Sequence, residues 1–132
     1  MINLSLQAWH PTTPGPELAQ KLGLDAEYVW SAGDPKVSSS GKQLGGIRET
    51  SYACMPMGRV ANDTLAEALM EWCDRFEPDA AYLRSIVEEG GALLIRAYFV
   101  LDDDWDFLFD SACLSRIQRL GIEVNLSIYK EE

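Results

Sequence analysis

Histidine and paired cysteine are scarce in this chain, and this scarcity argues against the commonest catalytic and metal sites. The 132 residues include one histidine, His10, and three cysteines, Cys54, Cys73 and Cys113, which form no CxxC pair. The cysteine spacing matches no zinc module, so free buried thiols are predicted. His10 has no Ser, Asp or Cys beside it in sequence, which favours a capping or surface role over general-base catalysis. We therefore predict no metal, no cofactor and no catalytic residue.

Basic residues are also few. Eleven Lys plus Arg stand against 21 Asp plus Glu, which gives a net charge of −10. Nucleic acid backbones and anionic membranes both need a cationic protein surface, so neither is a predicted partner. An excess of acid either serves solubility alone or steers the approach of a basic protein.

Long apolar runs are absent. None approaches the roughly 20 residues that a membrane-spanning helix needs, and Met1-Ile2-Asn3 lacks the basic start of a signal peptide. Free thiols suit a reducing compartment. The sequence therefore predicts a cytoplasmic protein whose residues 1–132 form a single domain with a substantial core.

Period-two alternation is the strongest structural pattern present. Residues 2–9 and Ile122 to Tyr129 alternate apolar and polar side chains, which is typical of half-buried strands. The apolar run Leu93 to Leu101 predicts a third strand. Ile47 to Cys54, rich in Thr, Ser and Tyr, predicts a fourth and least buried strand that ends before Pro56.

Helical patterns lie between these strands. A capping box at Thr64 to Glu67 predicts a helix that starts near Asp63 and stops before Pro78. Gly90-Gly91 ends the next helix. The predicted helices are Glu17 to Leu22, Asp63 to Glu77, Asp79 to Glu89 and Asp110 to Leu120, the last capped by Asp110 or Ser111.

The apolar faces of these elements predict one shared core. Leu83, Ile86 and Val87 are predicted to face inward from the third helix. The remaining predicted core residues are Leu65, Leu69, Trp72, Phe76, Leu114, Ile117, Val124 and Leu126. The predicted fold is therefore α+β, a two-layer sandwich in which helices pack on one face of a four-stranded sheet, with element order β-α-β-α-α-β-α-β.

Short motifs at both ends of the chain resemble one family. They are Pro16-Glu17-Leu18, Leu22-Gly23-Leu24, Trp30, Gly33-Asp34, Leu120-Gly121-Ile122 and Ile128-Tyr129. Together they resemble domain of unknown function 4279, and the resemblance spans nearly the whole chain. It implies a small, soluble, mostly bacterial α+β protein without established catalytic residues. Some relatives look like immunity proteins of toxin systems.

Two positions depart from the family pattern. The family often carries Trp in the second strand, where Ile47 and Arg48 stand here. It often carries acidic residues in the last strand, where Asn125 and Ser127 stand here. A role that acidic residues have in the last strand of the family therefore does not carry over to Asn125 and Ser127.

Four carboxylates form the first candidate site. Asp63, Glu67, Glu71 and Asp74 recur at helical spacing opposite the apolar face of their helix, and we call them the acidic ridge. Like charges at this spacing slightly destabilise a helix. The acidic ridge is a candidate surface for a basic protein partner.

The second candidate site is the polar face of the predicted sheet. Trp9, Arg96, Tyr98 and Tyr129 are predicted to share this polar sheet face with Asn3, Ser5, Gln7 and Asn125. Aromatic residues and Arg are enriched at protein interfaces. The face is predicted either to be an interface or to lie under the loop of residues 35–46.

Two further patterns are weaker. Asp102 to Asp106 is rich in acid but lacks the alternating ligands, central glycine and distal Glu of an EF-hand, so a solvated loop is predicted. Ser38-Ser39-Ser40-Gly41-Lys42 lacks the Walker spacing, so a flexible loop is predicted there.

Two functions of different classes remain open. The first is a non-catalytic interaction domain, immunity-like, that binds a basic protein through acidic and aromatic surface. The alternative is a small enzyme or ligand-binding domain with a pocket near Trp9, His10 and Trp30, which would require polar side chains to converge in a cleft. The sequence indicates neither the oligomeric state nor the partner's identity.

Overall fold

A five-stranded sheet forms the centre of the protein, in a computed structural model that describes residues 1–101 and 104–130. Its strands are β1 (Ile2–His10), β2 (Tyr28–Trp30), β5 (Ser51–Val60), β6 (Ala92–Leu101) and β7 (Ile122–Lys130), while β3 (Pro35–Val37) and β4 (Gln43–Ile47) form a separate two-stranded sheet. The spatial order is β2-β5-β1-β6-β7. Only the β6–β7 pair is parallel, and the other neighbours run antiparallel.

The helices pack on one face of this sheet. They are α1 (Gly15–Leu22), α2 (Leu65–Phe76), α3 (Ala80–Glu88) and α4 (Ser111–Arg119), with 3₁₀ turns at Asn62–Thr64 and Glu77–Asp79. α4 joins the parallel strands β6 and β7, as a parallel pair requires a crossover. In the described part of the chain, no helix is both long and apolar enough to cross a bilayer.

The predicted α+β class is confirmed, but the four-stranded sheet and its element order are wrong. β2 has three residues, too few to show a period in sequence. The predicted second strand also corresponds to two elements. Its first residue closes β4, residues 48–50 connect the two strands, and residues 51–54 belong to β5, which runs on to Val60.

Pro56 does not end β5 because the strand is irregular there. Leu4 pairs with Gly58 and Ser5 with Pro56, so Met57 is an extra residue in β5. A bulge of this kind accommodates a proline that lacks the N–H donor. The prediction that this strand is the least buried is also wrong, because β5 lies between two neighbours and buries Ala53 and Met55 completely.

One apolar cluster joins the helices to the inner face of the sheet. β1 shows the predicted alternation, with Ile2, Leu4, Leu6 and Ala8 buried and the residues between them half-buried. The predicted core residues Leu65, Leu69, Phe76 and Ile117 are buried, and Trp72 and Val124 pack against the cluster partly exposed. Leu83 and Ile86 of α3 are buried as predicted.

Three predicted core residues are exposed instead. Leu114 is 52% exposed because α4 turns Cys113 and Ile117 inward, which leaves the neighbouring Leu114 on the outer side. Leu126 is 38% exposed because β7 is the edge strand and has a neighbour on one side only. Val87, predicted to face inward, is 40% exposed at the end of α3.

The helix starts differ from each other in their capping. The side chain of Asp110 accepts a hydrogen bond from the backbone N–H of Cys113 at 2.8 Å, so Asp110 caps α4 as predicted. The capping box predicted for α2 does not form. Thr64 instead donates its hydroxyl to the carbonyl of Ala61 at 2.9 Å, within the 3₁₀ turn that precedes the helix.

Candidate functional site

The face of the sheet opposite the helices carries the polar side chains of the strands. Arg96 lies opposite Ser5 of β1 and Asn125 of β7, and Tyr98 lies opposite Asn3 of β1. The period of two in each strand places these side chains on the same face. The register therefore brings together the polar sheet face that the sequence predicts.

A cleft of about 530 Å³ opens on this face, and we call it the sheet-face cleft. Asn3, Ser5 and Gln7 of β1 supply amide and hydroxyl groups. The aromatic lining residues are Tyr28, Tyr52, Tyr98 and Tyr129, and the charged ones are Glu27, Arg59 and Arg96. This volume falls within the range of about 300–1,000 Å³ that is typical of small-molecule sites.

Arg96 is held in place by two neutral hydroxyl groups of β7. Its Nε donates to Ser127 Oγ at 3.0 Å and its Nη2 donates to Tyr129 Oη at 2.5 Å. Ser127 Oγ in turn donates to Asn125 Oδ1 at 2.6 Å. These bonds fix the guanidinium against the floor of the sheet without neutralising its charge.

Two tyrosines stand beside Arg96. The rings of Tyr98 and Tyr129 meet edge to face, with centroids 6.1 Å apart, and the Arg96 guanidinium lies 5.7 Å from the Tyr98 centroid. Tyr98 is 41% exposed and Tyr129 is 46% exposed. Both rings thus offer apolar surface to a ligand that approaches from solvent.

Trp9 lies on the same face but belongs to a separate aromatic cluster. The Tyr52 ring packs between Trp9 and Trp30, with centroid distances of 5.2 Å and 4.6 Å. The Arg48 guanidinium lies 3.9 Å from the Trp30 centroid. The structure therefore brings Arg96, Tyr98 and Tyr129 into the sheet-face cleft and places Trp9 outside its lining.

Tyr52 connects the aromatic cluster to the cleft. Burial, and after it the neighbouring Cys54 thiol, raise the pKa of Tyr52 above its ordinary value, while the positive charge of Arg96 lowers it in part. The Tyr52 hydroxyl therefore stays protonated at neutral pH. It remains a hydrogen-bond donor in the wall of the cleft.

His10 has a structural role. It is 4% exposed, and its Nδ1 accepts the backbone N–H groups of Thr12 and Thr13 at 3.1 Å and 2.8 Å. An accepting Nδ1 places the ring proton on Nε2, which lies 3.2 Å from Glu89 Oε1. Of the two predicted roles, a surface position is wrong because the ring is buried, and the ring instead caps the backbone N–H groups of the turn that follows β1. None of Trp9, His10 and Trp30 lines the sheet-face cleft.

The acidic ridge lies on the helical side of the molecule. All four of its carboxylates are exposed, with Asp63 in the 3₁₀ turn and the other three in α2. Asp74 accepts a hydrogen bond from Arg116 Nη2 of α4 at 2.7 Å, and this bond raises the pKa of Arg116. Within residues 1–101 and 104–130, Asp63, Glu67 and Glu71 have no cationic nitrogen within 4.0 Å.

The three thiols are free and buried, as predicted. Burial raises the pKa of Cys73 and of Cys113, so both stay protonated at neutral pH. Among the described residues, no three His, Cys, Asp or Glu side chains are grouped so that they could hold a metal ion. Asp102 and Asp103 of the predicted solvated loop lie outside the described residues, and Asp106 is exposed.

Sequence reasoning missed part of the cleft. Tyr52 lies in the predicted second strand but was not assigned to this face, Arg59 lies beyond Pro56, where that predicted strand ends, and Glu27 directly precedes β2, which the sequence does not predict. The loop of residues 35–46, predicted as a possible cover for this face, forms the β3–β4 hairpin instead. No residue of that hairpin lines the cleft.

The chain matches none of the family models, curated proteins or solved structures with which it was compared. Evidence about its function therefore comes from the chemistry of the two candidate surfaces.

Proposed function

We propose that the chain is a non-catalytic binding domain and that the sheet-face cleft is its binding site. The observation that carries the proposal is the composition of this cleft, which combines aromatic walls, an amide and hydroxyl floor, and a fixed guanidinium. Sites for small ligands typically combine apolar surface with a few well-placed polar groups. Tyr52 lies in hydrogen-bond reach of the Cys54 thiol in this cleft, but its raised pKa keeps the hydroxyl protonated, so it is no ready base for the thiol, which favours binding over catalysis.

A fragment screen tests this proposal. Small aromatic fragments of mixed charge are added to the ¹⁵N-labelled protein, and amide shifts are recorded. We expect the perturbed amides to cluster at Ser5, Gln7, Tyr52 and Tyr98, because these residues surround the cleft. Shifts confined to other surfaces, or no shifts with any fragment, would contradict the proposal.

A matched pair of variants sharpens the screen. Ser5→Phe places a ring in the cleft, and we expect it to abolish fragment binding there. Ser115→Phe makes the same change at an exposed position of α4, away from the cleft, and should leave binding unchanged. Far-ultraviolet circular dichroism of both variants checks that each still folds.

A second candidate function is binding of a basic protein at the acidic ridge. The observation that favours it is that Asp63, Glu67 and Glu71 are exposed and have no cation within 4.0 Å in the described part of the chain. The net charge of −10 would speed encounter with a cationic partner. This function would agree with an immunity-like role in a cytoplasmic protein related to domain of unknown function 4279.

Changing Glu67 and Glu71 to Gln tests the acidic ridge. A pull-down from native lysate supplies the basic partner, and its association rate is then measured at low and high salt. We expect the double variant to associate more slowly and to lose much of the salt dependence, because exposed charges are screened beyond roughly 8–10 Å at physiological ionic strength. Helix stability should stay equal or rise slightly, since two like charges at i,i+4 are removed.

Glu88→Gln with Glu123→Gln is the control, because it removes two exposed carboxylates elsewhere on the surface. It should change the association rate much less. If both double variants slow association equally, the effect comes from net charge alone, and the acidic ridge is not the binding surface.

A further inference from the structure

The sheet-face cleft carries a positive charge that no carboxylate of the described residues neutralises. Arg96 donates hydrogen bonds to the hydroxyl groups of Ser127 and Tyr129. Within residues 1–101 and 104–130, no carboxylate oxygen lies within 4.0 Å of its guanidinium nitrogens. Although the chain has a net charge of −10, no carboxylate of the described residues pairs with this arginine, and this distinguishes it from Arg116, which pairs with Asp74.

The bonds to β7 also decide which edge of the guanidinium stays available. A guanidinium carries five N–H donors in a planar fork, and Arg96 uses the Nε donor and one Nη2 donor. The two Nη1 donors and the second Nη2 donor take no acceptor within the described residues. This remaining edge matches the two oxygens of a carboxylate, which accept two parallel N–H bonds.

The rest of the lining agrees with an anionic ligand. Arg59 adds a second guanidinium to the lining, and Glu27 is the one carboxylate that lines the cleft in the described part of the chain. The field of Arg96 reaches the opposite wall, where its charge partly offsets the raised pKa of Tyr52. The cleft is thus locally positive in an acidic protein.

We infer that the sheet-face cleft binds a small carboxylate with an aromatic body, and that Arg96 anchors its carboxylate. This inference rests on the proposed binding function. The exposed rings of Tyr98 and Tyr129 would pack against the aromatic body of the ligand. Asn3, Ser5 and Gln7 supply the polar groups that orient it.

A nucleic acid is the main rival, because aromatic sheet faces also stack bases. The net charge of −10 opposes it, since each phosphate brought to the protein adds to the repulsion. A single small carboxylate meets this repulsion with one charge only. One guanidinium that is fixed by neutral groups also matches a ligand with a single negative charge better than a nucleic acid with many phosphates.

The test compares benzoate with benzamide, which has the same ring and nearly the same shape but no charge. Each is titrated into the ¹⁵N-labelled protein, and amide shifts around the cleft give the affinity. We expect benzoate to bind there about tenfold or more tightly than benzamide, because a hydrogen bond between charged groups is roughly twice as strong as one between neutral groups. Equal binding of the two compounds would overturn the role of Arg96 while the binding function stands.

Variants of Arg96 locate the anchor. Arg96→Gln should weaken benzoate binding about tenfold or more and leave benzamide unaffected. Arg96→Lys keeps the charge but loses the fork, so intermediate affinity is expected. The control is Arg119→Gln, which removes the same charge at an exposed position outside the cleft. This variant should bind benzoate as tightly as the unchanged protein does. If it weakens benzoate binding as much as Arg96→Gln, the inference is overturned.

Two further outcomes separate the remaining possibilities. Tighter binding of phenyl phosphate than of benzoate would overturn the assignment to a carboxylate. If no fragment of either charge perturbs the cleft, the proposed binding function itself fails. The comparison of benzoate with benzamide uses the unchanged protein, so the inference can be judged even where an Arg96 variant does not fold.

Discussion

Replacing Leu69 by alanine is expected to lower the free energy of unfolding by about 2–5 kcal/mol. Leu69 is completely buried in α2 and belongs to the cluster that joins the helices to the sheet. Its truncation removes apolar contacts and leaves a cavity, since a close-packed core relaxes only partly. Urea unfolding at equilibrium measures the change.

Leu114→Ala is the matched control for this prediction. The sequence places both leucines in the core, but Leu114 is 52% exposed on α4. Alanine and leucine have similar helix propensities, so a change within about 0.5 kcal/mol is expected. A loss at Leu114 as large as that at Leu69 would show that the outer side of α4 is buried in solution.

These two leucines also show how far the sequence predicts the fold. Periodicity shows that a segment is amphipathic, and it predicts the buried faces of β1 and α2 and the inward Leu83 and Ile86 of α3 correctly. Periodicity does not show how wide the buried stripe is. The width of the buried stripe depends on what packs against the helix. On α4 the stripe includes Cys113 and Ile117 but not Leu114.

The strands show a second limit of the same kind. Which strand lies at the edge of a sheet depends on the spatial order of the strands, and the amino-acid sequence does not show this order. The exposure of Leu126 on β7 therefore cannot be predicted from the sequence. The predicted end of β5 at Pro56 is wrong because the bulge that accommodates this proline depends on the pairing of β5 with β1. β2 exists as a strand only because it pairs with β5.

The candidate site was predicted in part for the same reason. Arg96, Tyr98 and Tyr129 were assigned to one face because alternation within β6 and β7 is visible in sequence. Tyr52 lies in the predicted second strand, but its place in the site depends on the pairing of β5 with β1, and Arg59 lies beyond Pro56, where the predicted strand ends. The feature that gives the cleft its chemistry, a guanidinium held by two hydroxyls, depends on the parallel register of β6 and β7.

The pair Gly90-Gly91 supplies the second large expected effect. Gly91→Ala is expected to cost about 3 kcal/mol, the upper end of the usual cost of overpacking. A Cβ at Gly91 would overlap the carbonyl oxygen of Trp9 and lie 2.8 Å from that of Ile86. Both obstacles are backbone atoms, so relief requires β1 or the end of α3 to move. Urea unfolding measures the loss.

Gly90 is the neighbouring glycine, but its backbone conformation, and not the space around it, is what requires glycine there. Its φ is +96°, while a Cβ there would meet only Pro11 at 3.5 Å. Gly90→Ala should therefore cost about 1–2 kcal/mol for the left-handed conformation alone. Asn tolerates that region better than Ala, so Gly90→Asn should recover part of the loss. Gly91→Asn should recover nothing, because a larger side chain meets the same two carbonyl oxygens. Recovery by Asn at both positions would show that conformation, rather than close approach of the backbone, is what requires glycine at Gly91.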